Sequence, residues 1–96
     1  MIKSFKSKLA QDIFDGVLSR YARKIPISLH NKIRRLFDQI GAAYDVKDLK
    51  VPPGNHLEAL HGDLYGMWSI RVNIQYRVIF KWEAGDAYDV DVVDYH

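Results

Sequence analysis

The chain has 96 residues, 48% of them hydrophobic and 12% aromatic, which is typical of one folded globular domain rather than a disordered segment. It contains no cysteine, which excludes disulfide scaffolds and thiolate chemistry. No apolar run approaches the roughly 20 residues that span a bilayer, and the N-terminus lacks the apolar region of a secretory signal. We therefore expect a cytoplasmic protein.

The net charge of +2 conceals an asymmetry between the two halves of the chain. Residues 1–50 hold 11 Lys/Arg and 5 Asp/Glu, whereas residues 51–96 hold 3 and 7. A strongly basic half indicates a polyanionic or acidic partner on that side. A solvated helix surface would produce the same pattern, so both interpretations stay open.

The first 25 residues predict a short strand, a short helix and a connector. Residues 1–5 read as an opening strand with Ile2 directed inward. Ser7 is a suitable N-cap for a helix that ends near Gly16. Residues 17–25 then form a basic connector.

A second helix follows, with apolar residues at the three- and four-residue spacing of one helix face. Pro26 or Ser28 can begin it, and Gly41 is the expected stop. His30 lies among basic residues and is expected at the surface. The apolar face consists of Leu29, Ile33, Leu36, Phe37 and Ile40.

Residues 51–96 predict a mainly antiparallel sheet. The segment 51–55 is rich in proline and glycine and breaks regular structure. Residues 56–60 then form a strand, with Leu57 and Ala59 on one face and His56 and Glu58 on the other, or the reverse. Three further strands follow from residue 66, with Trp68, Tyr76, Phe80 and Trp82 on the buried face. The expected fold is α+β, with two N-terminal helices packed on a twisted four- to five-stranded sheet in the order β-α-α-β-β-β-β.

The register of two of these strands can be tested by parity, because residues directly opposite each other share a face. A two-residue turn at Asn73 would pair Ile70 with Arg77 and place a guanidinium in the core. An odd loop, residues 73–75, instead pairs Arg71 with Arg77 on the other face. Two facing cations are unfavourable unless an anion such as phosphate lies between them.

Several motifs in the second half resemble the HigB-type toxins of the RelE/ParE superfamily. They are Leu-Lys-Val-Pro-Pro-Gly-Asn-His-Leu-Glu-Ala-Leu at 49–60, Gly-Asp at 62–63, Trp-Ser-Ile-Arg-Val-Asn at 68–73, Gln-Tyr-Arg-Val-Ile-Phe at 75–80 and Val-Asp-Tyr-His at 93–96. The opening Met-Ile-Lys-Ser-Phe is also similar.

This resemblance implies a fold like that of microbial RNases and a toxin of a type II toxin–antitoxin pair. It implies a ribosome-dependent endoribonuclease that cuts mRNA in the A site by metal-free attack of a 2′-OH on its own 3′ phosphate, with no cofactor. The implied partners are the ribosome, mRNA and a HigA-like helix-turn-helix antitoxin, through which alone the pair binds operator DNA.

The resemblance also assigns roles to individual residues. Arg77 matches the arginine that contacts the scissile phosphate. Asp94, Tyr95 and His96 match the terminal catalytic triplet, in which an imidazole can exchange protons near neutral pH.

Two positions depart from the pattern of better-studied relatives. Glu58 stands where those toxins have a histidine, and His61 stands where they have a lysine. Glu58 can still act as a base, although a carboxylate beside phosphate is electrostatically unfavourable, so we expect weaker or differently tuned cleavage.

The candidate contacts to RNA or the ribosome are basic or imidazole side chains. They are Arg71, His56, Arg20, Arg23, Lys24, Lys32, Arg34 and Arg35.

Other interpretations of these residues stay open. Arg71 and Arg77 could be ordinary solvated or salt-bridged side chains, with Asp89 and Asp91 as partners, and the last two residues could be a frayed tail. A zinc site built from His56, His61 and His96 lacks thiolates and a fixed ligand pair. The alternative functions are a gyrase poison of the ParE branch and a toxin fold with weak or lost catalysis that chiefly binds its antitoxin.

Overall fold

Two helices cover one face of a four-stranded antiparallel sheet in this computed structural model, which describes residues 1–94. The helices are α1 (Lys8–Asp15) and α2 (His30–Ala42). The strands are β1 (Glu58–Ala59), β2 (Met67–Arg71), β3 (Tyr76–Glu83) and β4 (Asp86–Asp94), adjacent in that order. The expected α+β class is confirmed, with two helices and four antiparallel strands.

The opening segment forms isolated bridges in place of the predicted strand. Ile2 and Phe5 bridge in parallel to Ala87 and Val90 of β4. Between those bridges, Asp89 of β4 has a φ of 52° and the β3–β4 register shifts. A bulge bends the strand locally, so a continuous ladder cannot form alongside it.

Helix α1 is delimited by its capping residues. The Ser7 hydroxyl accepts a hydrogen bond from the backbone N–H of Ala10, and Gly16 closes the helix at a φ of 74°. Within the helix, the buried Asp12 accepts hydrogen bonds from the Ser19 hydroxyl at 2.6 Å and from the Lys8 ammonium at 3.1 Å. The Ser19 bond first, and then the positive charge of Lys8, lower the pKa of Asp12 below its ordinary value.

Helix α2 differs from the prediction at both ends. It begins at His30, after a 3-10 turn at Ile27–Leu29, and continues through Gly41 to Ala42. His30 is only 2% exposed, so its expected surface position is wrong. Its Nε2 lies 3.0 Å from the carbonyl oxygens of both Ala22 and Ile25, so the buried imidazole joins α2 to the connector.

The β2–β3 register agrees with the parity argument. Arg71 lies directly opposite Arg77, and residues 73–75 form the connecting loop. The Asn73 side chain accepts hydrogen bonds from the backbone N–H groups of Gln75 and Tyr76, at 2.9 and 2.8 Å. This local capping stabilises a three-residue loop, which keeps both guanidinium groups off the core face.

The main core lies between the helices and one sheet face, where Phe37 of α2 and Phe80 of β3 are almost completely buried. Tyr76, Trp68 and Trp82 also pack there, as the alternation indicated. The opposite sheet face carries a smaller apolar cluster of Leu60, Met67, Ile79 and Val93. Among the helices of residues 1–94, none has the length and apolarity required to cross a membrane.

Of the predicted 56–60 strand, Glu58 and Ala59 form β1, and the N–H of the following Leu60 also bonds to the Met67 carbonyl of β2. His56 adopts a left-handed conformation with φ 48° and ψ 54°, which ends the extended backbone on that side. A non-glycine residue at positive φ is uncommon and marks a backbone that its surroundings hold in place.

Candidate active site

Three strands bring Arg77, Ser69 and Glu58 together on the sheet face opposite the helices. Glu58 of β1 is paired with Ser69 of β2, and Ser69 is paired with Ile79 of β3. Arg77 is therefore diagonal to Ser69 on the same face, within the reach of a long side chain. Its guanidinium extends across β2 toward β1.

The guanidinium of Arg77 has defined partners. Its Nη1 donates to the Ser69 hydroxyl at 3.2 Å and to the His56 carbonyl at 3.4 Å. Its Nη2 lies 3.6 Å from Oε1 of Glu58. The arginine side chain is only 14% exposed, whereas that of Glu58 is 50% exposed. The carboxylate of Glu58 therefore lies on the solvent-facing side of the Arg77 guanidinium.

The loop before β1 supplies the His56 carbonyl. A 3-10 turn at Pro53–Asn55 leads into the left-handed His56. The side-chain amide of Asn55 is buried and donates to the Leu49 carbonyl and to Oε1 of Gln39 on α2. These bonds attach the loop to the helical layer, and the imidazole of His56 belongs to an exposed residue.

Arg71 is half-buried, and its Nε donates to the Asn73 carbonyl at 3.2 Å. The carbonyl dipole offsets part of its positive charge, as Glu58 does for Arg77. The facing arginines thus each have an acceptor within the protein. The two carboxylates expected as their partners have other contacts. Asp89 lies near the Lys81 ammonium, and Asp91 accepts a hydrogen bond from the Ser7 hydroxyl.

Asp94 lies at the same end of the sheet as Arg77. It is exposed, faces Tyr76 across the β3–β4 ladder and accepts a hydrogen bond from the side chain of Gln75 at 3.1 Å. Tyr95 and His96, the other members of the proposed terminal triplet, lie outside the described residues.

His61 is exposed and lies toward the other end of β2, because the neighbouring Leu60 bonds to Met67. Met67 and Arg71 are four strand residues apart, or about 13 Å. His61 lines a hollow of about 210 Å³ with Tyr65 and Trp68. The fold thus brings Glu58 and Arg77 together and places His61 toward the Met67 end of β2.

The candidate RNA-contacting cations of the connector and α2 divide into two groups. Arg34 is half-buried and donates to the Ile13 carbonyl and to the Asn31 side chain, so it joins α2 to the end of α1. The other five are exposed on the connector and α2: Arg20, Arg23, Lys24, Lys32 and Arg35.

Ser69 is the site residue that sequence reasoning missed. Its place in the strand alternation predicted an outward side chain, yet the residue is 0% exposed. The available signal was its position between Glu58 and Arg77 on one face, but that required knowing the β1–β2 pairing. Within residues 1–94, no group of three or more potential ligands is arranged to hold a metal ion.

Comparison with known proteins assigns the family. Residues 3–96 match the family described as RelE-like toxin of type II toxin-antitoxin system HigB. The chain is 41% identical over 87 residues to Toxin HigB-1 of Vibrio cholerae, covering 91% of this chain and 90% of that protein. It is 35% identical over 97 residues to Endoribonuclease HigB of Proteus vulgaris, with 100% of each chain covered.

Solved structures agree at the level of the fold. A chain of the YoeB-YefM complex from Staphylococcus aureus matches with a TM-score of 0.63 and 18% identity, covering 100% of this chain and 98% of that one. The YoeB/ParE toxin from Agrobacterium tumefaciens matches with a TM-score of 0.57 and 16% identity, covering 98% and 99%. With its sequence matched over residues 3–96, the chain belongs to the HigB-like family of RelE-like toxins from type II toxin–antitoxin systems.

Proposed function

We propose that this toxin is a metal-independent endoribonuclease that cleaves mRNA in the ribosomal A site. The observation that carries the proposal is the convergence of Arg77 and Glu58 at 3.6 Å on a sheet face that the helices leave uncovered. A fixed cation beside a half-exposed carboxylate suits a reaction in which a phosphoryl group gains charge while a hydroxyl loses a proton. The relative named Endoribonuclease HigB supports the same reaction class.

The proposed chemistry needs no group beyond the RNA and side chains. Glu58 takes the proton of a 2′-OH, and the 2′ oxygen forms a bond to the adjacent 3′ phosphorus. The bond from phosphorus to the 5′ oxygen breaks, and that oxygen receives a proton from His96. The products are a 2′,3′-cyclic phosphate and a 5′-OH, and Arg77 stabilises the charge on the phosphoryl oxygens between these steps.

The remaining candidate residues have supporting roles in this proposal. Asp94 orients its neighbours at the chain end, and Tyr95 stacks on a base or donates to a phosphate oxygen. His61, His56 and Arg71 contact the RNA strand on either side of the cleaved bond. The exposed basic side chains of the connector and α2 bind ribosomal RNA backbone.

The proposed partners follow from the toxin family. A HigA-like helix-turn-helix antitoxin neutralises the toxin, and the pair contacts operator DNA through the antitoxin alone. Fold neighbours solved as YoeB-YefM toxin–antitoxin complexes support a protein antitoxin as the partner.

The deciding experiment maps the 5′ ends of mRNA in cells induced for the toxin without antitoxin. Wild type should create new 5′-OH ends in register with codons, and Arg77→Ala and His96→Ala should make these ends much less abundant. Cleavage on purified ribosomes should persist in EDTA and should disappear when ribosomes are omitted. Unchanged RNA ends with inhibited gyrase supercoiling would overturn the proposal, and so would the absence of growth arrest.

A further inference from the structure

We propose that Ser69 and the backbone carbonyl of His56 are positioning groups that hold Arg77 in the orientation needed for catalysis. This inference rests on the proposed nuclease function and adds two groups that do not themselves touch RNA. Both bind the same nitrogen, Nη1, at 3.2 and 3.4 Å. The other terminal nitrogen, Nη2, is thereby directed to the carboxylate of Glu58.

Ser69 is suited to this role by its burial. The residue is 0% exposed on a strand whose neighbours Met67 and Ile70 are also buried. A buried hydroxyl without a partner is costly, and in residues 1–94 every buried side-chain polar atom has a partner. The Ser69 oxygen therefore has a strong preference for the Arg77 donor, and the preference restricts rotation of the guanidinium.

The His56 carbonyl is suited to the role by its backbone. A left-handed non-glycine residue persists only where its surroundings hold it. Here the His56 N–H bonds to the Pro53 carbonyl at 3.1 Å, and the buried Asn55 amide bonds to Leu49 and Gln39. A loop that is anchored on α2 therefore holds the His56 carbonyl beside Arg77. The position of this carbonyl does not depend on the edge strand β1 alone.

The consequence for the reaction is preorganisation. An arginine has five N–H donors on a planar group, and rotation about its side chain would move them away from the phosphoryl oxygens. With Nη1 bound on one side, the group presents Nη2 toward the half-exposed Glu58 without reorienting when RNA binds. Fixed donors of this kind stabilise developing charge more than mobile ones do.

A double-mutant cycle tests the proposal with purified toxin and mRNA-programmed ribosomes. Ser69→Ala should lower kcat by about tenfold to a hundredfold, with KM changed much less, because displacement of a catalytic group affects mainly the transition state. In an Arg77→Ala background, adding Ser69→Ala should change kcat by less than about twofold, since the hydroxyl acts through the guanidinium.

Ser19→Ala is the matched control, because it also removes a serine hydroxyl, one that donates to the buried Asp12 away from the site. It should reduce stability without lowering kcat. Two outcomes would overturn the positioning role alone. In one, Ser69→Ala lowers kcat equally in the presence and in the absence of Arg77. In the other, Ser69→Ala keeps the wild-type kcat while Arg77→Ala is impaired. Wild-type cleavage in Arg77→Ala would overturn this role together with that of Arg77 in the proposed function.

A second measurement does not depend on the folding of any variant. Side-chain NMR of wild-type toxin should resolve separate signals for the two terminal nitrogens of Arg77, as hindered rotation requires. A single averaged signal from a freely rotating group would contradict the proposal.

Discussion

The carboxylate of Glu58 and the guanidinium of Arg77 face each other across an intervening strand, with Oε1 3.6 Å from Nη2. β2 separates their strands, so the ion pair lies above Ser69 on the open face of the sheet. The reaction proposed for this site would bring a phosphate oxygen to Arg77, beside the carboxylate of Glu58. It therefore assigns two opposing effects to Glu58, as a base for the 2′-OH and as a like charge near the phosphate.

Substitution of Glu58 by glutamine separates these two effects. We expect kcat for mRNA cleavage to fall about a hundredfold or more, since a general base contributes on that order. We expect KM to fall as well, because a negative charge is removed beside the phosphate. Single-turnover and steady-state cleavage on ribosomes would measure both constants.

Asp63→Asn is a suitable control for this substitution, because it removes a carboxylate from an exposed residue of the β1–β2 connection. It should leave kcat within about twofold of wild type, as surface substitutions usually do. Full turnover in Glu58→Gln would remove Glu58 from the proposed reaction.

His30 should be a stability residue. Substitution by alanine would leave the carbonyls of Ala22 and Ile25 without the Nε2 donor and would open a cavity beneath the connector. We expect a loss of about 2 to 4 kcal/mol in the free energy of unfolding, measured by urea denaturation. The exposed His61→Ala should change it by less than about 0.5 kcal/mol, and similar values for the two variants would contradict the burial of His30.

Asp12 should make stability depend on acid pH. The Ser19 hydroxyl and the Lys8 charge lower its pKa in the folded state, so the unfolded chain binds this proton more tightly. The resulting stabilisation is complete above the ordinary carboxyl pKa of about 4 and is lost as pH falls from there through the lower folded value. Urea midpoints of wild type and Asp12→Asn should therefore differ more at neutral pH than in acid.

Asp15→Asn serves as the control for Asp12, because its carboxylate is exposed and accepts only from the nearby Gln11 side chain among the bonds described. Its effect on the urea midpoint should vary little between the two conditions. A gap between wild type and Asp12→Asn that widens in acid would contradict the direction of the pKa shift.

The exposed cations should determine ribosome affinity. Reversing Arg23, Lys24 and Lys32 to glutamate should weaken binding at least about tenfold and reduce its dependence on salt, since fewer counterions are released. Reversing the exposed Lys3, Lys6 and Lys47 makes the same change in net charge and should weaken binding less. Filter binding of toxin to ribosomes across a salt series measures both, and equal losses would show that only net charge matters.

Local sequence was sufficient for the strand register. Alternation in β2 and β3, and the need to keep a guanidinium out of the core, placed Arg71 opposite Arg77, and the structure confirms that pairing. The opening strand and the surface position of His30 were wrong for one reason. Each depends on a partner segment distant in the chain, namely bulged β4 for residues 1–5 and the connector carbonyls for His30.

By itself, the amino-acid sequence determined the α+β class, the toxin family and the pairing of the two arginines, because periodicity, turn residues and motifs are properties of neighbouring residues. Only the tertiary structure decided that Ser69 is buried beneath Arg77, that Glu58 faces the guanidinium and that Arg34 joins the two helices. Those contacts join residues 8 to 21 positions apart, and their geometry arises only when separate elements pack together.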